Sequence, residues 1–391
     1  MSLFNINEPI PFAEFFSGVG LIRLGLEQAG FKCVFANEID AKKNAIYTNH
    51  FGSAELVAGD IATLEASIIP QIKLATASFP CQDISLAGNR VGLSGQRSGT
   101  VWEFLRILSE LRHFGRAPKA ILLENVTGLL TSHQGSDIRS LLIQLNQLGY
   151  ACDLLILDAV HFVPQSRPRV FVIGIQQFSS SVQRLQIDQY RPAAVQKVIA
   201  GNTDIDWHHL NLPELPQQRL TSLDEIWEYG DLLEWFDTSQ LERERHYIRN
   251  LSLERLNNAV IKAVHTQKRV YLTAYRRMRG DQICLETRDD GIAGCLRPAT
   301  GGSSRQVLIE VGPDASVRMR YLTAREYARL QGVDDSFQIP RAQRVGLNAF
   351  GDAVAVPVLV WIGRILRNEL TETMPPATGL GVMNQAIQPA R

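Results

Sequence analysis

The chain has 391 residues, 40 Lys and Arg against 40 Asp and Glu, and 45% hydrophobic residues, a length that suits two domains or one large domain with a big insertion. No apolar run approaches the ~18 residues of a membrane span, and the N-terminus lacks a secretory pattern, so neither a membrane nor an export role is expected. A net charge of zero counts against a nucleic-acid binder, which usually carries excess positive charge.

Over the first 175 residues, short apolar runs alternate with helix-like stretches, the pattern of βα units and a mostly parallel sheet. Residues 11–16 form an apolar run followed by Ser17-Gly18-Val19-Gly20. Leu21, Leu24, Gly25, Leu26 and Ala29 then fall at helical spacing, with Gly30 as the stop. A second strand is predicted at 33–36 and a helix at 41–50. Further strands are expected at 74–78, 120–123, 154–157 and 170–175, with amphipathic helices at 98–114 and 138–148.

The rhythm is lost from about 180 to 315. Residues 201–240 carry nine acidic residues and one basic, whereas 241–280 carry ten basic and three acidic, a shift that marks a different module. Helical patterning returns at 323–330 and again at 354–366, the latter apolar enough to pack back on the first domain. The expected division is therefore 1–178 as a catalytic unit and 179–343 as an inserted smaller domain. Residues 344–371 return to the first unit, and a Pro-, Thr- and Gly-rich tail at 372–391 is expected to fray. Cys33, Cys81, Cys152, Cys284 and Cys295 are odd in number and scattered, matching neither a disulfide framework nor a zinc site and suiting a reducing cytoplasm.

Several residues carry chemistry. A strand–Gly18-Val19-Gly20–helix turn lets backbone N–H groups approach a ligand at the carboxyl edge of a sheet. Glu38, closing the second strand, is placed to accept hydrogen bonds from ribose hydroxyls, and Asp60 is placed near an adenine amino group. Together they fit an adenosyl-type cofactor; a tight turn with two surface carboxylates is the alternative. Cys81 follows a buried-looking strand and precedes a Gly-rich stretch, the position of a nucleophile under a lid, or else of a small core residue. Glu124 follows four apolar residues and is expensive to bury without a partner. Gln165, Arg167 and Arg169 precede the strand at 170–175 and put two cations at a sheet edge.

In this order the motifs resemble the cytosine-5 DNA methyltransferases, in the form found in prokaryotic restriction–modification systems. Phe16-Ser17-Gly18-Val19-Gly20 is similar to the family's first cofactor motif, and Asn37-Glu38-Ile39-Asp40 to its second. Pro80-Cys81-Gln82 resembles the catalytic Pro-Cys, and Glu124-Asn125-Val126 the Glu-Asn-Val. Leu148-Gly149-Tyr150, Pro164-Gln165 and Arg167-x-Arg169 follow in sequence, and 320–332 resembles the ninth motif. The last motif departs: Asp352, before Ala353-Val354, stands where the family usually has Asn, bringing a charge and losing two donors. A backbone-only role or a nearby cation would make that harmless.

The resemblance implies an α/β, Rossmann-like S-adenosylmethionine-dependent domain with an inserted target-recognition domain. It implies that Phe16, Ser17, Gly18, Gly20, Leu21, Glu38, Ile39, Asp60, Ile61, Pro80, Asp352 and Ala353 line the cofactor. It assigns catalysis to Cys81, Glu124, Arg167 and Arg169. Cys81 adds to cytosine C6, Glu124 donates a proton to N3, and Arg169 holds O2; no metal is required. The base has to leave the duplex for C6 to be reached. Gln82, Ser85, Arg97 and Gln165 are expected near double-stranded DNA. So are Arg305, beside a flexible Gly-Gly-Ser-Ser turn, and Arg276, Arg277 and Arg279 of a basic strip, interleaved with tyrosines, in the insertion.

Arg318, Arg320, Arg325 and Arg329 add a second basic cluster, so the zero net charge reads as a sum over modules of opposite sign. A cytoplasmic, nucleoid-associated monomer with a cognate restriction endonuclease as functional partner is the expected context. Three rivals remain. A transfer-RNA methyltransferase on the same scaffold lacks its Cys-Phe-Thr segment here, and an inactive DNA-binding homologue has only Asp352 in its favour. A dehydrogenase leaves Pro80-Cys81-Gln82 without a role.

Overall fold

The structure is a computed structural model and describes residues 8–80, 98–176, 188–231, 233–299 and 305–372. Its first unit opens β1 (Ile10–Phe15), α1 (Leu21–Gln28), β2 (Phe31–Glu38), α2 (Ala41–Phe51), β3 (Leu56–Ala58) and β4 (Leu74–Ala77). It continues α3 (Val101–His113), β5 (Ala120–Val126), α4 (Ser136–Gln147), β6 (Tyr150–Asp158) and β7 (Pro168–Gln176). Every strand and helix expected before residue 176 is present, most of the strands longer than the apolar runs alone suggested.

These strands form one seven-stranded sheet in the order β3-β2-β1-β4-β5-β7-β6. The first five pair in parallel, whereas β7 runs antiparallel between β5 and β6. Chain order reverses between β1 and β4, so a crevice opens at their carboxyl ends, where doubly wound sheets bind ligands. Antiparallel β7 matters for the same edge. Its amino end, carrying Arg169, lies against the carboxyl end of β5, with Arg169 opposite Val126.

Two apolar cores cover the two faces of the sheet. One packs Phe104, Leu108 and Leu111 of α3 with Ile138, Leu141 and Leu145 of α4. The other packs Ile22 and Leu26 of α1 with Tyr47 of α2 and with Leu359, Ile362 and Leu366 of α10 (Val356–Glu372). Helix α10 thus returns to the first unit as expected. Glycines let it lie close to α1: a Cβ on Gly25 would stand 2.5 Å from Leu359 Cβ, and one on Gly363 2.6 Å from Ala29 Cβ. Contrary to the expectation from run length, Gln343–Thr371 is long and apolar enough to cross a membrane by composition. It is two helices, α9 (Gln343–Gly351) and α10, broken at Asp352, and most of its apolar window is buried in the fold.

Residues 188–212 also pack on the first unit. Helix α5 (Ala193–Ala200) buries Val195 and Val198 in the α3–α4 core, and Asp153 of β6 is paired with buried Arg191. A boundary at 179 therefore cuts through this packing. The smaller unit proper has a four-stranded antiparallel sheet, order β11-β10-β8-β9, from β8 (Val270–Arg279), β9 (Gln282–Arg288), β10 (Gln306–Val311) and β11 (Val317–Tyr321). Helices α6 (Thr238–Tyr247) and α7 (Leu251–Thr266) cover one face, where Leu272, Ala274, Ile309 and Met319 meet Leu256 and Ala263. Helix α8 (Ala324–Leu330) leads back to the cleft.

Candidate active site

At the carboxyl end of β1 the chain turns sharply through residues 16–20. Phe16 holds a φ of 55°, and Gly18 and Gly20 have φ of 58° and 81°. That conformation is costly for an aromatic residue and cheap for glycine. A Cβ at Gly20 would strike the Phe51 ring at 2.4 Å, whereas a Cβ at Gly18 would meet nothing within 4 Å. Gly20 is thus needed for packing, and Gly18 leaves open space over the turn.

Glu38, at the end of β2, fixes this turn from beside it. Its Oε2 accepts from Gly18 N at 2.8 Å and its Oε1 from Asp40 N at 2.8 Å. Among the described residues the Ser17 hydroxyl and Asn44 Oδ1 are buried without a hydrogen-bond partner, and Ile39 leaves 65% of its surface exposed. Orphaned polar atoms, an exposed aliphatic side chain and an open glycine turn in one crevice fit a nucleoside-bearing cofactor. Asp60 is exposed at the end of β3, where its carboxylate accepts from Ala62 N. Leu21 and Ile61 are core residues with buried side chains.

Opposite the turn, Glu124 is 5% exposed near the end of β5. Its Oε1 lies 3.0 Å from Arg169 Nε, and its Oε2 accepts from Ser78 Oγ at 2.5 Å. Burial of this carboxyl was legible in sequence; its partner Ser78 was not. Asn125 faces the next strand, donating to Phe79 O at 3.0 Å and so tying the exit of β4 to β5. Pro80 follows immediately. Cys81, Gln82, Ser85 and Arg97 lie outside the described residues.

Arg167 departs from its expected catalytic role. It is 2% exposed, with Nη1 donating to Leu296 O at 3.0 Å and Gly351 O at 3.3 Å, so it joins β7 to the segment beyond β9 and to α9. Beside it is Cys295, a residue that sequence reasoning passed over. Burial pushes its thiol pKa up, but the charges of Arg167, Arg169 and Arg297 outweigh that and hold it below the ordinary thiol value.

Asp352 ends α9, and its charge is answered. Lys43 Nζ, in the first turn of α2, stands 2.9 Å from Asp352 Oδ2. The nearby cation that would make the acid harmless is present. Ala353, one residue on, gives its carbonyl to Gln331 Nε2 at 3.0 Å.

The family model for C-5 cytosine-specific DNA methylases matches residues 10–368. The chain belongs to that family. A type II methyltransferase of Dactylococcopsis salina, M.DsaV, is 30% identical over 90% of this chain and 84% of its own. M.HpaII of Haemophilus parainfluenzae is 27% identical over 94% of this chain and 91% of its own. Among solved structures, the Entamoeba histolytica methyltransferase EhMeth superposes with a TM-score of 0.61 at 17% identity, covering 93% of this chain and 99% of that one, which shows the shared fold. The chain is a DNA cytosine-5 methyltransferase on an α/β scaffold.

The residues expected to face DNA separate into two groups. Along β8 side chains alternate, and the face carrying Leu272, Ala274 and Arg276 is covered by α6 and α7. Arg276 is accordingly half-buried and bonded through Nε and Nη2 to Glu244, itself fully buried. Arg277 and Arg279 project from the other face, 55% and 59% exposed, sharing Glu286. Arg305 lies over the Tyr321 ring, 3.8 Å from its centre.

Gln165 is not at a DNA surface. It is fully buried, with Nε2 donating to Leu330 O at 2.8 Å and Oε1 accepting from Leu296 N at 3.2 Å. The second basic cluster is likewise engaged within the chain. Arg320 is 1% exposed against Glu326, Arg318 pairs with Glu310, and Arg325 and Arg329 pair with Asp335. Its formal charge overstated the cation available to phosphate.

Proposed function

We propose that this methylase uses S-adenosylmethionine to methylate cytosine within one recognition sequence of duplex DNA, with Cys81 as nucleophile and Glu124 and Arg169 as the groups that hold the flipped base. The observation that carries this reading is the Ser78–Glu124–Arg169 cluster at the mouth of β4, one strand from the adenosyl-type crevice. Ser17, Gly18, Glu38 and Ile39 would hold the cofactor, Glu38 through lone pairs that its bonds to Gly18 and Asp40 leave over. When bound, S-adenosylmethionine supplies an electrophilic methyl group.

Cytosine C5 is a poor nucleophile until a group adds at C6. The Cys81 thiolate forms the S–C6 bond, the C5–C6 π pair shifts to C4–C5, and the C4–N3 π pair moves onto N3. Glu124 donates a proton at N3 to take up that charge, and Arg169, a fixed cation beside it, meets the O2 oxygen. C5, made electron-rich by the addition, would then take the methyl group; departure of the C5 proton to solvent, return of the N3 proton to Glu124 and cleavage of S–C6 restore the aromatic ring and free the thiolate. Extruding the base costs a few kcal/mol.

The type II names of the relatives favour pairing with a restriction endonuclease of the same sequence specificity, and a DNA substrate over transfer RNA. Bisulfite sequencing of DNA from cells expressing the protein tests substrate, base and sequence together. Protected cytosines at one recurring sequence are expected. Unprotected DNA, with methyl transfer detected only on transfer RNA, contradicts the reading.

A further inference from the structure

Glu124 is held at both oxygens, and the two contacts differ in kind. Oε1 faces Arg169 Nε at 3.0 Å, and Oε2 accepts a hydrogen bond from Ser78 Oγ at 2.5 Å. The second contact follows from sheet register. Strands β4 and β5 pair in parallel with Ala77 opposite Leu123, so the next positions, Ser78 and Glu124, put their side chains on one face. The backbone at Ser78 does not depend on the hydroxyl for its place. Leu74–Ala77 before it is buried in the sheet, and Phe79 O after it accepts from Asn125 Nδ2 at 3.0 Å.

The chemistry of the two partners tells the two oxygens apart. A guanidinium only donates and stays charged, so Oε1 can hold negative charge but cannot carry a proton toward Nε. A proton that Glu124 delivers therefore belongs on Oε2. Each carboxyl oxygen has two lone-pair positions, and Ser78 occupies one of those on Oε2. The other is left for a proton aimed at a base. The terminal torsion of a glutamate side chain is broad, so a carboxyl held at Oε1 alone would swing about that contact. Ser78 supplies the second point that fixes its plane.

We propose that Ser78 is a positioning residue for the proton-transfer step: its hydroxyl holds Oε2, the proton-carrying oxygen of Glu124, in the orientation that meets N3 of the flipped cytosine. The proposal rests on the reading of Glu124 as the donor to N3. In that step the O–H bond on Oε2 breaks and the N3–H bond forms. The electron pair left on Oε2 is met by the Ser78 hydroxyl, whose own proton stays in place. Ser78 thus acts through Glu124. A serine that served packing alone would behave differently, since its loss would be felt whether or not residue 124 can give a proton.

The test is a double-mutant cycle on the full-length protein: Ser78→Ala, Glu124→Gln and the two together. It is read by single-turnover transfer of tritiated methyl from S-adenosylmethionine to unmethylated plasmid DNA carrying the sequence that bisulfite sequencing identifies. Ser78→Ala is expected to slow transfer about 10- to 100-fold. Affinities for the plasmid and for S-adenosylhomocysteine, and the melting temperature, are expected to stay near wild type. In the Glu124→Gln background, adding Ser78→Ala is expected to slow transfer by no more than about threefold. A Ser78→Ala protein that transfers methyl at the wild-type rate overturns the proposal. So does a loss carried by weaker DNA or cofactor binding, or the same loss of rate repeated in the Glu124→Gln background. If Ser78→Ala does not fold, Ser78→Cys, whose thiol is a weak donor, makes the same comparison under reducing conditions. A Glu124→Gln protein as fast as wild type would instead strike the role of Glu124, and the proposal with it.

Discussion

Arg169 Nε stands 3.0 Å from Glu124 Oε1, and the contact exists because β7 runs against the direction of its neighbour β5. A parallel strand would have carried that arginine to the far edge of the sheet. The reversal puts a cation beside a nearly buried carboxyl at the edge where β4 leads into Pro80-Cys81. Two groups that would meet N3 and O2 of one pyrimidine are thus brought together by strand polarity alone.

Glu124→Gln keeps the shape of the side chain but cannot transfer a proton. Single-turnover methyl transfer is expected to fall by about 10²–10⁴. Affinity for S-adenosylhomocysteine, measured on the same protein, should change less than threefold, because β4 separates Glu124 on β5 from the glycine turn that follows β1. Equal losses in both would point to a structural role for Glu124.

Arg276 and its neighbours on β8 should respond in opposite ways. Arg276→Ala strips a buried carboxylate, Glu244, of its partner, and chemical denaturation is expected to register a loss of about 3 kcal/mol. Reversing Arg277 and Arg279 to Glu should leave stability within about 0.5 kcal/mol. That double reversal should weaken binding to duplex DNA and flatten its salt dependence. DNA affinity indifferent to both reversals would remove this face of β8 from the interface.

Gln165→Ala tests whether that side chain is an internal strut. It removes the bonds to Leu330 O and Leu296 N and leaves both backbone groups buried, a cost of about 1–3 kcal/mol. The loss should appear in thermal unfolding without DNA. A variant of unchanged stability and reduced DNA affinity would return Gln165 to the surface role its position in sequence suggested.

Glu14, on β1 just before the glycine turn, is fully buried, and among the described residues neither oxygen has a hydrogen-bond partner within 3.5 Å. Burial, opposed only in part by Arg23 and reinforced by Glu27 and Glu38, pushes its carboxyl up to about 8. The folded chain then holds a proton that the unfolded chain releases near pH 4.5, so this contribution to stability is full below that pH and fades as pH rises toward 8. Glu14→Gln should remove the fade and, above pH 8, exceed wild type by roughly 2–4 kcal/mol. Parallel stability profiles from pH 5 to 9 would contradict it.

The catalytic fold was legible because its strands are apolar runs and its helices are amphipathic. The apolar runs at 74–77 and 120–123 are followed by Ser78 and Glu124, and polarity there marks the sheet edge. What could not be read was partnership across the chain. Nothing near Arg167 in sequence indicates Leu296 and Gly351, and nothing near Asp352 indicates Lys43. The basic strip failed for a different reason: counting charges ignored the two-residue alternation of a strand, which turns Arg276 inward and Arg277 outward. The second arginine cluster likewise meets Glu310, Glu326 and Asp335, acids that a window of net charge averages away.

The central claim is that Cys81 bonds covalently to the target cytosine while Glu124 and Arg169 hold it. Duplex DNA containing 5-fluorocytosine at the target, incubated with protein and S-adenosylmethionine, tests this most directly, because fluorine cannot leave C5 as a proton does. A denaturation-resistant protein–DNA complex is expected, with the nucleotide on Cys81 in its peptide map, and no complex with Cys81→Ser. A wild-type protein that methylates ordinary cytosine yet forms no such complex, or an adduct mapped to Cys295, would contradict it.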